Sequence, residues 1–281
     1  MLLTAALQLA LGSLAFGAGP VCTTMPLIEK SRSVAVSNPS SQKVTSSAAF
    51  SSGAGNNNNA NIYDGTGNAG SDTYRCYYGG WESFPPASEW IEFDAMWNYS
   101  KNAMAESCAD LGIGSCSNGA GAFGPGNSGE QTGLIWNAIQ QVAQASLVDH
   151  RFILATILQE SIGCVNVCPT TNPDPSQPDN PGLMQSDGGV TFVGNSASNS
   201  AQQSSITQMV IDGTQGTALG DGLVQCINQY GNIYEAARCY NSGSVNSGNL
   251  NDGQGATASY VSDIANRMTG WLYSDSKFNQ C

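Results

Sequence analysis

Glu160 has the most chemistry within its reach. It ends an apolar run that includes Ile153, Leu154, Ile157 and Leu158, and on a helix it shares a face with Ile153, Thr156 and Ile157. A carboxyl there is drawn out of water and meets the negative end of the helix dipole. Both effects disfavour the ionised form, so its pKa should rise. An acid that keeps its proton near neutral pH can pass it to a leaving oxygen. The blander reading is a Glu that turns out to solvent at a helix terminus, and position alone does not exclude it. The nine cysteines and the lone His150 contain no pair of C-x-x-C motifs, so they do not read as a zinc ribbon. No metal or cofactor is expected.

The elements that must position Glu160 are helical. Residues 151–162 read as a helix that is apolar nearly all round, as only a buried helix is written, and Gly163 and Cys164 end it. Before it, Leu134, Ile135, Ala138, Val142 and Ala145 recur every three or four residues, with a short break at Val148-Asp149-His150. Trp90, Phe93, Trp97 and Met104 place another helix over 88–110, with Ser88 as a candidate N-cap and the aromatic stripe as core. A Gly-rich loop covers 112–129, and Pro173, Pro175 and Pro178 make 169–181 a loop. Helical patterns continue at 204–212, 217–230, 233–240 and 256–271. No alternating run is long enough for a sheet, so the class is mainly α with at most a small β element.

A chain of 281 residues with 41% hydrophobic content can bury a sizeable core. Only 11% of its residues are charged, and 21 acids against 9 bases give a net charge of −12. That balance argues against nucleic acid as a partner and against anionic membranes. Residues 1–17 carry a short apolar run followed by small residues, the pattern of a secretory signal peptide rather than a membrane span. Residues 18–73, rich in Ser, Asn and Gly, read as a disordered linker. At Tyr74 aromatic residues become dense, so the folded domain is set at 74–281. In an oxidising compartment the eight cysteines from Cys76 onward should form four disulfides, leaving Cys22 unpaired. The Asn98-Tyr99-Ser100 sequon is compatible with secretion. The expected product is an extracellular monomer that leaves the membrane once the signal is cleaved.

The order of short motifs adds to this reading. Glu160-Ser161 follows an apolar helix, Gly182-Leu183-Met184-Gln185 follows a loop, and Tyr240-Asn241-Ser242-Gly243 precedes a helix opened by Tyr260-Val261. Over about 148–271 the chain resembles the lysozyme-like superfamily of goose-type lysozymes and soluble lytic transglycosylases, glycoside hydrolase family 23. The resemblance implies a disulfide-stapled lysozyme-like helical domain with Glu160 as catalytic acid. It implies a sugar cleft lined by Ser161, Met184, Gln185, Tyr240 and Asn241. Asp187, and after it Asp179, are implied as the acids that position a hydrolytic water; Asp187 beside Gly188-Gly189 reads equally as a turn residue. The implied reaction is cleavage of β-1,4 bonds in an N-acetylhexosamine polymer, peptidoglycan first and chitin as the alternative. A lytic transglycosylase, or a secreted glycan-binding protein without turnover, remains open.

Overall fold

The computed structural model describes residues 42–68, 72–110, 116, 124–172, 176–272 and 276–278. The expected signal segment, Cys22 and Cys281 lie outside them. Eight α-helices appear among these residues: α1 Ser47–Ser52, α2 Phe93–Asp110, α3 Gly129–Ser146, α4 His150–Ser161, α5 Asn199–Gln215, α6 Leu223–Tyr230, α7 Ile233–Ser242 and α8 Tyr260–Met268. Extended pairing is limited there to two isolated bridges, Gly55 with Val148 and Thr170 with Asn180. The mainly helical class is therefore correct. No helix of the described residues is long and apolar enough to cross a membrane.

Helix α4 is the axis of the fold. Phe152, Ile153, Leu154, Ile157 and Leu158 are all fully buried, as its apolar circumference requires. It packs against α2, α3 and α8, while α3 lies along α5 and α7 joins α6 to α8. Asp149 caps its N-terminus by accepting from the Arg151 N–H at 2.9 Å. Its sequence partner α3 opens on a reciprocal cap, Ser128 with Gln131, and closes on Leu147 in a left-handed conformation. The helix read from Trp90, Phe93 and Trp97 starts later than expected: Ser88 lies in a short 3₁₀ turn, Ala87–Glu89, and α2 begins at Phe93.

Disulfides fix the elements around the C-terminal end of α4. Cys108–Cys164 ties α2 to the turn after α4, and Cys116–Cys168 ties the Gly-rich loop to the following segment. Cys226–Cys239 staples α6 to α7. Cys76 is also disulfide-bonded.

The linker expected over 18–73 is corrected from residue 42 onward, and with it the domain boundary at Tyr74. Val44, Ala49 and Ala54 are buried in the same core as α3 and α4. Asn59 is buried as well, and its amide donates to the carbonyls of Asn56, Ala143 and Val148 at 3.0, 3.0 and 3.1 Å. Asp64 accepts from Phe93 N–H at 3.1 Å and meets His150 Nε2 at 2.8 Å. The segment packs through small residues and amides rather than bulky apolar ones, so its composition conceals a docked strap. Burial alone would raise the Asp64 pKa, but the His150 hydrogen bond and the Arg151 charge together hold it below the usual carboxylate range.

Replacing Asp64 with Ala should cost about 3 kcal/mol, the lower end for breaking a buried ion pair, because Asp149 still faces Arg151. In a calorimetric melt this appears as a Tm lowered by about 6–12 °C. An unchanged Tm would contradict the strap.

Candidate functional site

Glu160 sits in the last turn of α4, facing α8. Tyr260, the first residue of α8, donates from its hydroxyl to Glu160 Oε1 at 2.5 Å. Burial pushes the Glu160 carboxyl up to about 7, and the Tyr260 hydrogen bond, which favours the ionised form, only partly opposes it. No cation contributes to that balance. The residue nevertheless keeps part of its surface open to solvent. A desolvated acid that a ligand can still reach is suited to donating a proton.

The three motifs read from the sequence are joined by hydrogen bonds. Ser161 Oγ donates to Leu183 O at 2.8 Å, locking the end of α4 to the Gly182-Leu183-Met184-Gln185 turn. Tyr240 Oη, from α7, donates to Met184 O at 2.7 Å and lies 3.5 Å from Ser186 Oγ. Burial, and next to it the charge of Glu160, raise the pKa of both Tyr240 and Tyr260. Both phenols therefore remain protonated donors throughout the working range of Glu160.

Two residues here hold left-handed backbone that side chains avoid: Ile162, immediately after α4, at φ 51°, and Gln185 at φ 47°. For a β-branched residue such as Ile162 this is a strained conformation. Gly163 follows at φ 76°, and a Cβ there would meet Met104 Cγ at 2.7 Å. Strain of this kind persists only where surrounding structure enforces it, and it gathers at functional sites.

Several expected sugar contacts are reassigned by the structure. Ser161 is fully buried and serves as the lock between motifs, not as a cleft wall. The Met184 side chain is fully buried against Gly213 and Thr214, so only its carbonyl serves the site, through Tyr240. Gln185 uses its amide internally, accepting from Thr170 N–H and donating to Gly182 O, both at 2.9 Å. Asn241 accepts from Arg238 Nη1 at 2.9 Å. Burial thus takes the Ser161 and Met184 side chains out of the cleft, whereas Gln185 and Asn241 are half-buried and hold the scaffold around Glu160 while keeping part of their surface open. Tyr260 is the residue that sequence reading undervalued; it was noted only as the opening of the last motif's helix.

Asp187 follows Ser186 in the turn after Gln185, its carbonyl accepting from Thr217 Oγ1 at 2.6 Å. Its Oδ1 is buried with no hydrogen-bond partner in the structure. Asp179 lies in the preceding loop, next to the Thr170–Asn180 bridge. Asp212, on α5, holds the same turn by accepting from Val190 N–H at 2.9 Å, and burial raises its pKa.

Two other features have the outline of a site. A recess of about 530 Å³ opens between Trp97, Lys101 and Trp136, but its charged groups, Lys101 and Glu130, are solvent-exposed and none of the motif residues lines it. Asp64, Asp149 and His150 bring metal-ligand atoms close together, yet Arg151 already lies among them, with Nη2 2.8 Å from Asp149 Oδ2. That cluster is an ion network anchoring α4.

No known protein family, curated protein or solved structure matches the chain. The site therefore stands on its own geometry. Tyr260→Phe should raise the Glu160 pKa further, because the lost hydrogen bond favours the carboxylate. We expect the carboxyl titration followed by NMR to move upward by about one pH unit, the order of a single hydrogen bond to a charged group. A downward shift would contradict the assigned contact.

Proposed function

We propose that the protein is a secreted glycosidase that hydrolyses β-1,4 bonds in an N-acetylhexosamine polymer, with Glu160 as the general acid. The observation that carries this reading is a reachable carboxyl, desolvated without a cation, whose pKa is pushed up to about 7. The order of its surrounding motifs and its mainly helical, disulfide-bonded frame agree with the lysozyme-like resemblance. The disulfides and the apolar N-terminal run favour an extracellular setting.

In this mechanism Glu160 enters the cycle protonated and transfers its proton to the glycosidic oxygen as the bond to the sugar breaks. Tyr260 holds the carboxyl in place and stabilises the carboxylate left behind. Asp187, with its unpartnered oxygen, accepts a proton from water attacking the opposite face of the ring. Acid and base acting on opposite faces make the reaction inverting, which calls for a carboxyl separation of roughly 6.5–9.5 Å. Without participation by Asp187, the single acid would support an intramolecular transglycosylation instead. Product analysis separates the two outcomes: hydrolysis yields a free reducing end and transglycosylation an anhydro ring.

Glu160→Gln tests the reading. The amide keeps the shape and loses the transferable proton, so turnover should fall by about 10²–10⁴-fold with oligosaccharide binding preserved. Retention of more than about a tenth of the activity would sink the assignment. The same variant has a stability signature. A raised carboxyl pKa means that the fold binds a proton the unfolded chain releases, so native stability declines as pH rises from about 4.5 to about 7. Above pH 7 the Gln variant should be the more stable protein, by at most about 3 kcal/mol, and below pH 4.5 the two should converge.

A further inference from the structure

Peptidoglycan strands and chitin share a backbone linkage but differ in charge. Every second sugar of peptidoglycan carries a lactyl group whose carboxyl is either a free carboxylate or amide-linked to an acidic peptide, whereas chitin is uncharged. A cleft built for the first would be expected to offer cations, arginine above all, since its planar fork grips carboxylates in bidentate fashion.

Among the described residues the cations are Lys43, Arg75, Lys101, Arg151, Arg238, Arg267 and, near the C-terminus, Lys277. Two approach the Glu160 region, and both are engaged internally. Arg238, on α7, is fully buried and donates to the carbonyls of Leu250, Thr257 and Ala258 and to Asn241 Oδ1. Arg267, on α8, donates from Nε to Gln159 Oε1 at 3.0 Å and lies 4.7 Å over the Trp271 ring. Arg151 belongs to the ion network at the opposite end of α4. Lys101 bonds to Asn98 on α2, and Lys43 lies where the strap meets the end of α3 and α6. Arg75 is attached by its backbone to Asn266, six residues and about 9 Å along α8 from Tyr260.

Acids occupy the ground the cations leave. Asp187 and Asp212 border the turn that carries Met184 and Gln185, and Asp263 lies on α8 beside Gln159. The chain as a whole stands at −12. From this arrangement, and resting on the glycosidase reading of the same site, we propose that the cleft takes an uncharged β-1,4-linked N-acetylglucosamine chain and discriminates against strands bearing lactyl carboxylates. The discrimination is electrostatic: a carboxylate entering this cleft loses hydration and meets acidic neighbours, while Arg238 and Arg267, on the helices nearest Glu160, are already engaged within the fold.

The test compares kcat/KM of the full chain on chitohexaose and on a peptide-free hexasaccharide alternating N-acetylglucosamine and N-acetylmuramic acid, at 20 mM and 200 mM salt. At low salt chitohexaose should be preferred by about tenfold or more, the lower end of what cleft fields contribute. The preference should narrow at high salt, because screening relieves the repulsion of the muramyl chain while the neutral chain is unaffected. Equal or faster cleavage of the muramyl hexamer at low salt would overturn the proposal and leave the glycosidase reading intact. So would a preference indifferent to salt, which would point to shape rather than charge. Failure to cut either hexamer would instead refute the glycosidase reading, and this inference with it.

Discussion

A carboxyl at the C-terminal turn of a buried helix meets two effects that oppose its ionised form, desolvation and the carbonyl end of the helix dipole, and at Glu160 no cation offsets either. The surrounding structure keeps that imbalance in place. Ser161 fixes the helix end to Leu183, and Cys164 and Cys168 tie the chain beyond it to α2 and the Gly-rich loop. Tyr260 holds Oε1 with a single neutral donor. A mobile helix end would let the carboxyl turn into water and lose its raised pKa, so rigidity here is a chemical requirement as well as a structural one.

The two ends of α4 treat charge in opposite ways. At the N-terminus, Asp149 caps the helix where the dipole favours an anion, and Arg151, His150 and Asp64 complete a set in which the charged side chains are partnered. At the C-terminus, Glu160 has a phenol and apolar walls. A buried ion network is weak evidence for stability in itself, but removing one member leaves an uncompensated charge. That network holds the end of α4 opposite Glu160. The strap over 42–68 supplies Asp64, so a segment remote in sequence from Glu160 helps to hold the helix that presents it.

Much of this was visible in the sequence. The apolar circumference of 151–162 required a buried helix, the periodicity of 134–145 gave α3, and the last-turn position of Glu160 together with the order of the surrounding motifs pointed to a raised pKa. The strap was not visible because it packs by other means. Gly55 pairs with Val148, Ala49 and Ala54 are fully buried, and the Asn59 amide donates to the carbonyls of Ala143 and Val148. Ser, Asn and Gly are counted as disorder-promoting because they bury little area, and the count cannot register an amide that satisfies several buried carbonyls. Side-chain direction was equally hidden. Met184 and Gln185 belong to the turn that faces Glu160, but neighbours distant in sequence, Gly213 and Thr170, decide where their side chains go.

The central claim is that Glu160 is protonated near neutral pH because its environment desolvates it. Its side-chain carboxyl can be followed directly by carbon-detected NMR in protein labelled at Glu, with Glu160→Gln identifying the resonance. The account predicts a titration midpoint of about 7. A midpoint below about 5, close to that of an ordinary glutamate, would show the carboxyl to be solvated and would contradict it.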